Sequence, residues 1–319
     1  MSNLFPIPDY LESAEYSLLI FHLQAKEYFD LPLFGLLRLR REFQQAIQRI
    51  RGSVEDELFQ QLHSLLEPSP PNDIRLRRLV QKPSPAIVLF PDLGRSGLTE
   101  PGDCISLPVL FLGQGLLSIE PFACLLRQVG KQGLLGGQGV CELSAIEAED
   151  ASGQRTVLWD GGAIAGTLSP VINDLRWWLD MQPLNWNRLR LDFVSPTRLL
   201  HGGKPLFKAK FTDLFPFILR RVTAMLAAHC RLDTVNDPSA MLAVASNMEE
   251  SDNCLQWKDW RPLTAARGGQ DLGGLSGSLV LTGSGLADIL WVLQLGSLLQ
   301  IGKGAPYGAG RYELSYIAS

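Results

Sequence analysis

The sequence predicts an α+β protein in which one unit occurs twice. Two observations carry the prediction: a pair of glycine-rich loops in matching positions, and the same order of elements leading to each. LPVLFLGQGL (107–116) and GLLGGQGVCELSAI (133–146) in the first half correspond to GSLVLTGSGL (277–286) and GKGAPYGAGRYELSYI (302–317) in the second. Gly113 and Gly115 match Gly283 and Gly285, and Gly137 and Gly139 match Gly308 and Gly310. The register slips by a single residue between the two pairs.

The elements follow from periodicity. In the first half, Tyr16–Ala25 reads as a strand and 33–51 as a helix. Ala86–Phe90 and Ile105–Leu112 are strands, Glu120–Val129 is a helix, and Val140–Ile146 is a closing strand. In the second half, RLRLDFV (188–194) alternates as a strand does. Leu214, Phe217, Ile218, Val222, Met225 and Leu226 recur at helical spacing within Phe211–His229. Residues 255–263 and Ser278–Thr282 read as strands, Leu286–Leu298 as an apolar helix and Arg311–Ile317 as the last strand. Strand, helix, strand, strand, helix, strand is the ferredoxin-like order. The expected organisation is a ferredoxin-like domain over 1–150, a linker or insertion over 151–187 that packs between the halves, and a second ferredoxin-like domain over 188–319.

Composition limits the function classes. The 319 residues are 46% hydrophobic and 19% charged, which excludes a disordered chain and gives two domains enough apolar material for cores. Five cysteines at wide spacing without a C-x-x-C pair argue against a disulfide framework and a structural zinc site, and no cofactor is expected. The acidic N-terminus lacks the basic start of a signal peptide, and Asp288 with three glycines interrupts the longest apolar run, Leu279 to Ile301, so a reducing cytoplasm is the expected setting. Net charge is −4, yet Arg38, Arg40, Arg41, Arg49 and Arg51 cluster in one predicted helix, and Arg75, Arg77, Arg78 and Lys82 form a second group.

Gly302-Lys303-Gly304-Ala-Pro-Tyr307-Gly308-Ala-Gly310 invites a nucleotide-binding interpretation that its context rejects. A phosphate loop needs Ser or Thr after Gly-Lys, and a dinucleotide fingerprint needs a following helix. Here Gly304 follows the lysine and a strand follows the glycines. What remains is a glycine-rich hook whose N–H groups, with Lys303, suit phosphate contacts. The first-half loop has no lysine and reads as a turn.

These residues resemble a known family. DLGGLSGSLVLTGSGLADILWVLQLGSLLQIGKGAPYGAGRYEL (271–314) is similar to the C-terminal domain of the CRISPR-associated endoribonucleases that process precursor CRISPR RNA, the sixth Cas family of the RAMP superfamily. FVSPTRLLHGGKPL (193–206), the helix containing LFPFILRRVTAM and LQWKDWRP (255–262) extend the similarity across 190–317. The resemblance implies tandem ferredoxin-like (RRM/RAMP-type) domains and metal-independent cleavage of repeat RNA. In that reaction the 2′-hydroxyl attacks the adjacent phosphate and leaves a 2′,3′-cyclic phosphate. It further implies repeat RNA and other Cas proteins as partners. The chain departs from the family at Gln300, where relatives have His. It also departs in LRLRREFQQAI (37–47), which lacks glycines, and in the stretch from Arg261 to Arg267. These departures keep a second expectation open, a RAMP subunit that binds the CRISPR RNA without cutting it. A small-molecule enzyme on the same fold is the third, since fold alone fixes no activity.

The chemistry needs a base, an acid and a cation at the phosphate. His201, between Thr197-Arg198 and Gly202-Gly203-Lys204, is the leading acid/base candidate, with Lys204 beside it and His22 on the first strand as a further candidate. Arg198, Arg267, Lys303, Tyr307 and Arg311, the hook glycines Gly302, Gly304, Gly308 and Gly310, and in second rank Arg38 and Arg41, are the expected RNA contacts. His229 and His63 read as structural or solvated.

Overall fold

A computed structural model describes residues 6–50, 56–80, 82–164, 166, 168–182, 188–232, 238–259 and 273–317. The chain divides into two compact units, one formed by Tyr10–Trp178 with Ala227–Leu232, the other by Met1–Asp9, Leu179–Leu226 and Asp233–Ser319.

The N-terminal unit contains β1 (Glu15–Ala25), β2 (Phe29–Leu31), α1 (Leu39–Ile50), α2 (Asp56–Leu66), α3 (Ile74–Leu79), β3 (Ile87–Leu89), β4 (Gly97–Thr99), β5 (Cys104–Leu112), α4 (Ile119–Gln132), β6 (Cys141–Glu149), β7 (Arg155–Trp159) and β8 (Asn173–Asp174); α5 (Leu175–Asp180) runs across its border. Its main sheet is ordered β3-β5-β1-β6-β7 with antiparallel neighbours, and β8 pairs with the start of β1. Alternation along β1 sends Leu19, Phe21 and Leu23 into the core, and His22 and Gln24 to the opposite face. Phe122 of α4 sits at the centre of that core. Its ring stands edge-on to Phe21, Phe43 and Phe111 at 5.5, 5.4 and 5.4 Å.

The C-terminal unit contains β9 (Arg188–Thr197), β10 (Leu200–His201), β11 (Lys204–Pro205), α6 (Phe211–Met225), α7 (Pro238–Ser246), β12 (Glu249–Asn253), β13 (Gln256–Asp259), β14 (Gly273–Thr282), α8 (Leu286–Leu299) and β15 (Tyr312–Tyr316). Its sheet is ordered β12-β14-β9-β15, again antiparallel. In both units the second strand of the fold lies outside the third, the third beside the first and the first beside the fourth, which is the ferredoxin-like arrangement. Helix α8 is apolar on all sides because it is enclosed by α6, α7 and β15, leaving Ile289, Trp291, Val292, Leu293 and Leu295 buried. Gly296 lets the Tyr312 hydroxyl approach, and that hydroxyl donates to the Leu293 carbonyl at 2.7 Å.

Several expectations change in detail. The helix expected over 211–229 is α-helical only to Met225 and continues as a π-helical turn, Leu226–Cys230. The strand expected over 255–263 is Gln256–Asp259, and 260–263 lie outside the described residues, as do Arg51 and Arg267. Within the stretch expected as an insertion, β7 extends the N-terminal sheet and Asn173 and Asp174 pair with β1. Sequence periodicity did not reveal β7 because Arg155, Thr156 and Val157 are all exposed on a sheet edge.

Candidate nucleic-acid interface

The glycine hook is built onto the end of β9. The Ile301 N–H donates to the Gly310 carbonyl at 3.0 Å, closing the loop on itself. The Lys303 and Gly310 N–H groups donate to the Arg198 and Pro196 carbonyls at 2.9 and 3.1 Å, while the Arg311 N–H donates to Ser195 Oγ at 2.7 Å. A Cβ on Gly310, at φ 72, would collide with the Ile301 carbonyl, and one on Gly302, at φ 83, would lie 2.6 Å from the Arg198 oxygen. These bonds correct one expectation. The hook's N–H groups are largely bonded within the loop or to the chain at and just beyond the end of β9, so they do not form an open phosphate cradle. Gly308 and Gly310 are buried and the Tyr307 side chain is only 5% exposed, so these three anchor the loop, whereas Lys303 and Gly302 face solvent and Gly304 is half-buried.

The seat of the hook is reinforced from α6. Arg221 donates from Nε and Nη2 to the Leu299 carbonyl at 3.2 and 3.1 Å, and from Nε to the Gln300 carbonyl at 3.2 Å. It thereby caps the C-terminal carbonyls of α8, where a cation also meets the negative end of the helix dipole. Burial pulls the guanidinium down to about 10. Gln300, fully buried with φ 57, turns the chain from α8 into the hook. Sequence inspection gave Arg221 no role, since nothing in the run LRR separates a buried arginine from a solvated one.

Downstream of Arg198 the chain forms the β10–β11 hairpin. Gly202 and Gly203 have φ 56 and 81, the two positive values that a two-residue turn with the sheet's own twist requires. That turn sets His201 directly across from Lys204, both exposed. Between hairpin and α6 lies a groove of about 460 Å³ with His201, Leu200 and Leu206 on one side and Thr212, Phe217 and Arg220 on the other. Arg198, His201 and Lys204 thus lie on the segment that follows β9, and the Lys303 backbone is bonded to the first of them. Arg311 lies just before β15 and pairs with Glu313 at 2.8 Å.

The remaining candidates belong to the N-terminal unit. His22 Nε2 lies 3.3 Å from Glu147 Oε2, and Nδ1 lies 3.1 Å from Ser106 Oγ. The Nδ1 contact is a hydrogen bond, whereas Nε2 has the glutamate at ion-pair distance without a hydrogen bond. Arg38 is half-buried at the end of the turn before α1, and Arg41 is exposed on α1. His229 is 3% exposed and held by the Ser84 carbonyl at 2.8 Å and Gln114 at 3.2 Å, the satisfied structural histidine expected. His63 lies 3.9 Å from Glu67 on the surface of α2.

Residues 191–312, which contain the hairpin, α6 and the hook, match the model of the family described as CRISPR-associated endoribonuclease Cas6. That match covers less than half of the chain. Residues 13–171 match a separate family model described as an N-terminal domain. No curated protein matches. Among solved structures, a partial Cas6-RT-Cas1–Cas2 complex superposes with a TM-score of 0.59 at 14% identity, over 95% of this chain and 46% of that one. The chain thus spans about half the length of that relative. A Cas6 product complex superposes with a TM-score of 0.54 at 17% identity, over 94% of this chain and 99% of that one. Thermus thermophilus Cas6 gives 0.51 at 15% identity, over 95% and 99%. At these identities the likeness is one of fold, two ferredoxin-like domains in tandem.

Proposed function

We propose that this chain belongs to the Cas6 type and is an endoribonuclease that cleaves CRISPR repeat RNA to give mature CRISPR RNA. The observation that carries the proposal is the Cas6 match over 191–312, the stretch in which the hairpin and hook hold Arg198, His201, Lys204 and Lys303. In this mechanism His201 accepts the proton of the attacking 2′-hydroxyl, and Lys204 and Lys303 balance the charge that builds on the phosphorane. The bond from phosphorus to the 5′-oxygen breaks as that from the 2′-oxygen forms, and the leaving oxygen takes a proton from water, which leaves a 2′,3′-cyclic phosphate and a 5′-hydroxyl. No metal takes part. Repeat RNA and other Cas proteins are the proposed partners. Among the superposed structures, one is a product complex and another joins Cas6 with a reverse transcriptase, Cas1 and Cas2.

A second reading has its own support. Gln300 is buried where the resembled family has His, and the His22 ring is bonded to Ser106 at Nδ1 and faces Glu147 at Nε2. On this reading the chain holds CRISPR RNA in an effector complex without cutting it. Incubating the protein with repeat RNA in EDTA and identifying the product ends separates the two. Cyclic phosphate at the new 3′ end supports cleavage, and tight binding without product supports the holding role. Neither binding nor cleavage sinks both.

A further inference from the structure

The groove between the β10–β11 hairpin and α6 has the chemistry of a nucleobase site. One side is formed by the apolar Leu200 and Leu206, the other by Phe217 and Pro216. The Arg220 guanidinium lies over the Phe217 ring with its carbon 5.1 Å from the ring centroid. The pair presents an aromatic ring and a cation side by side, a combination on which any base can stack because every base has a π-face. The volume, about 460 Å³, falls in the range of about 300–1,000 Å³ found for small-molecule sites. Two exposed groups able to exchange hydrogen bonds with a base edge stand at its rim, the Thr212 hydroxyl and the His201 imidazole. Asp213, also at the rim, is already employed as the cap of α6, accepting the Lys210 N–H at 2.9 Å.

The surroundings hold this shape in place. The Leu206 N–H donates to the Leu199 carbonyl at 3.0 Å, closing the base of the hairpin. The Phe211 N–H donates to Glu250 Oε1 at 2.7 Å, and Asn253 Nδ2 donates to the Ala209 carbonyl at 3.0 Å, so the strap from hairpin to helix is tied down along its length. A groove with fixed walls takes a flat ligand at little ordering cost.

We infer that this groove receives one unpaired base of the bound RNA, stacked against Phe217 and Arg220. The inference rests on the RNA-processing reading. It adds that the nucleotide whose base enters the groove lies next to the His201 imidazole, so that the groove sets which phosphate His201 meets.

The test uses the full chain in EDTA with repeat RNAs carrying 2-aminopurine at one position at a time, since the fluorescence of this base responds to stacking. One unpaired position is expected to change its emission on binding. Thr212→Trp, which fills the groove from an exposed position, and Arg220→Ala should each abolish that change and weaken binding about tenfold. Phe217→Tyr, which keeps the aromatic face, should retain it. If wild-type protein binds RNA and no position responds, or if the response survives both Thr212→Trp and Arg220→Ala, the groove assignment is overturned while RNA binding stands. If wild-type protein binds no repeat RNA, the RNA-processing reading falls and the groove assignment with it.

Discussion

The backbone N–H of Lys303 donates to the carbonyl of Arg198 at 2.9 Å, tying the glycine hook to the chain just beyond β9. This one bond fixes a cationic side chain of the hook beside the segment that carries Arg198, His201 and Lys204. It also explains why Gly302 precedes the lysine, since a side chain there would strike the same carbonyl.

The hook should therefore be intolerant of Cβ atoms. Gly310→Ala meets the Ile301 carbonyl and requires φ 72 of a non-glycine residue. It is expected to destabilise the C-terminal unit by more than about 2 kcal/mol. Thermal or denaturant unfolding checks this, and an unchanged midpoint would show that the loop is not pinned as described.

Lys303 itself contributes charge at an exposed position and not packing. Lys303→Ala should leave stability unchanged, weaken RNA binding across sequences, and lower the slope of log affinity against log salt by about one. Titration at several salt concentrations measures it. A parallel line of equal slope would remove Lys303 from the RNA contacts.

The tandem ferredoxin-like order was legible in the sequence because each half repeats its periodic elements and its glycines. What periodicity could not reveal were features made by polar or short segments, such as β7 on its edge and the two-residue strands β10 and β11. The site was legible only in part. His201 and Lys204 stand out because Gly202-Gly203 marks a turn between them. Tyr307 looks in sequence like an exposed aromatic contact, but the hook folds it inward. Arg221 has no signal in sequence, because its role depends on α8 ending against it.

The core of the N-terminal unit offers a stability test. Phe122 touches three aromatic rings at about 5.5 Å. Phe122→Ala is expected to cost about 3–5 kcal/mol, and Phe122→Leu markedly less. Chemical denaturation of the two variants gives the difference, and a loss below about 1 kcal/mol for alanine would contradict the packing.

Buried thiols give the N-terminal unit an alkaline weakness. Burial first, with Glu27 and Glu15 respectively adding to it, pushes Cys141 up to about 11 and Cys230 up to about 12 from a usual 9.0. The folded chain then keeps both protons while the unfolded chain releases them, so stability present at neutral pH is lost as pH rises from 9 through 11 and 12. Arg221 acts in the opposite direction above pH 10 in the C-terminal unit, because its folded form gives up a proton that the unfolded chain retains. Comparison of wild type with Cys141→Ala isolates the thiol. The stability of wild type should fall more steeply between pH 9 and 11, and equal slopes would show that Cys141 is not buried as described.

The most direct test of the central claim compares wild type with His201→Ala on end-labelled repeat RNA under single-turnover conditions in EDTA, with binding measured in parallel. The account predicts wild-type cleavage to a 2′,3′-cyclic phosphate, and for His201→Ala undiminished binding with cleavage abolished. Cleavage by His201→Ala at the wild-type rate would contradict it.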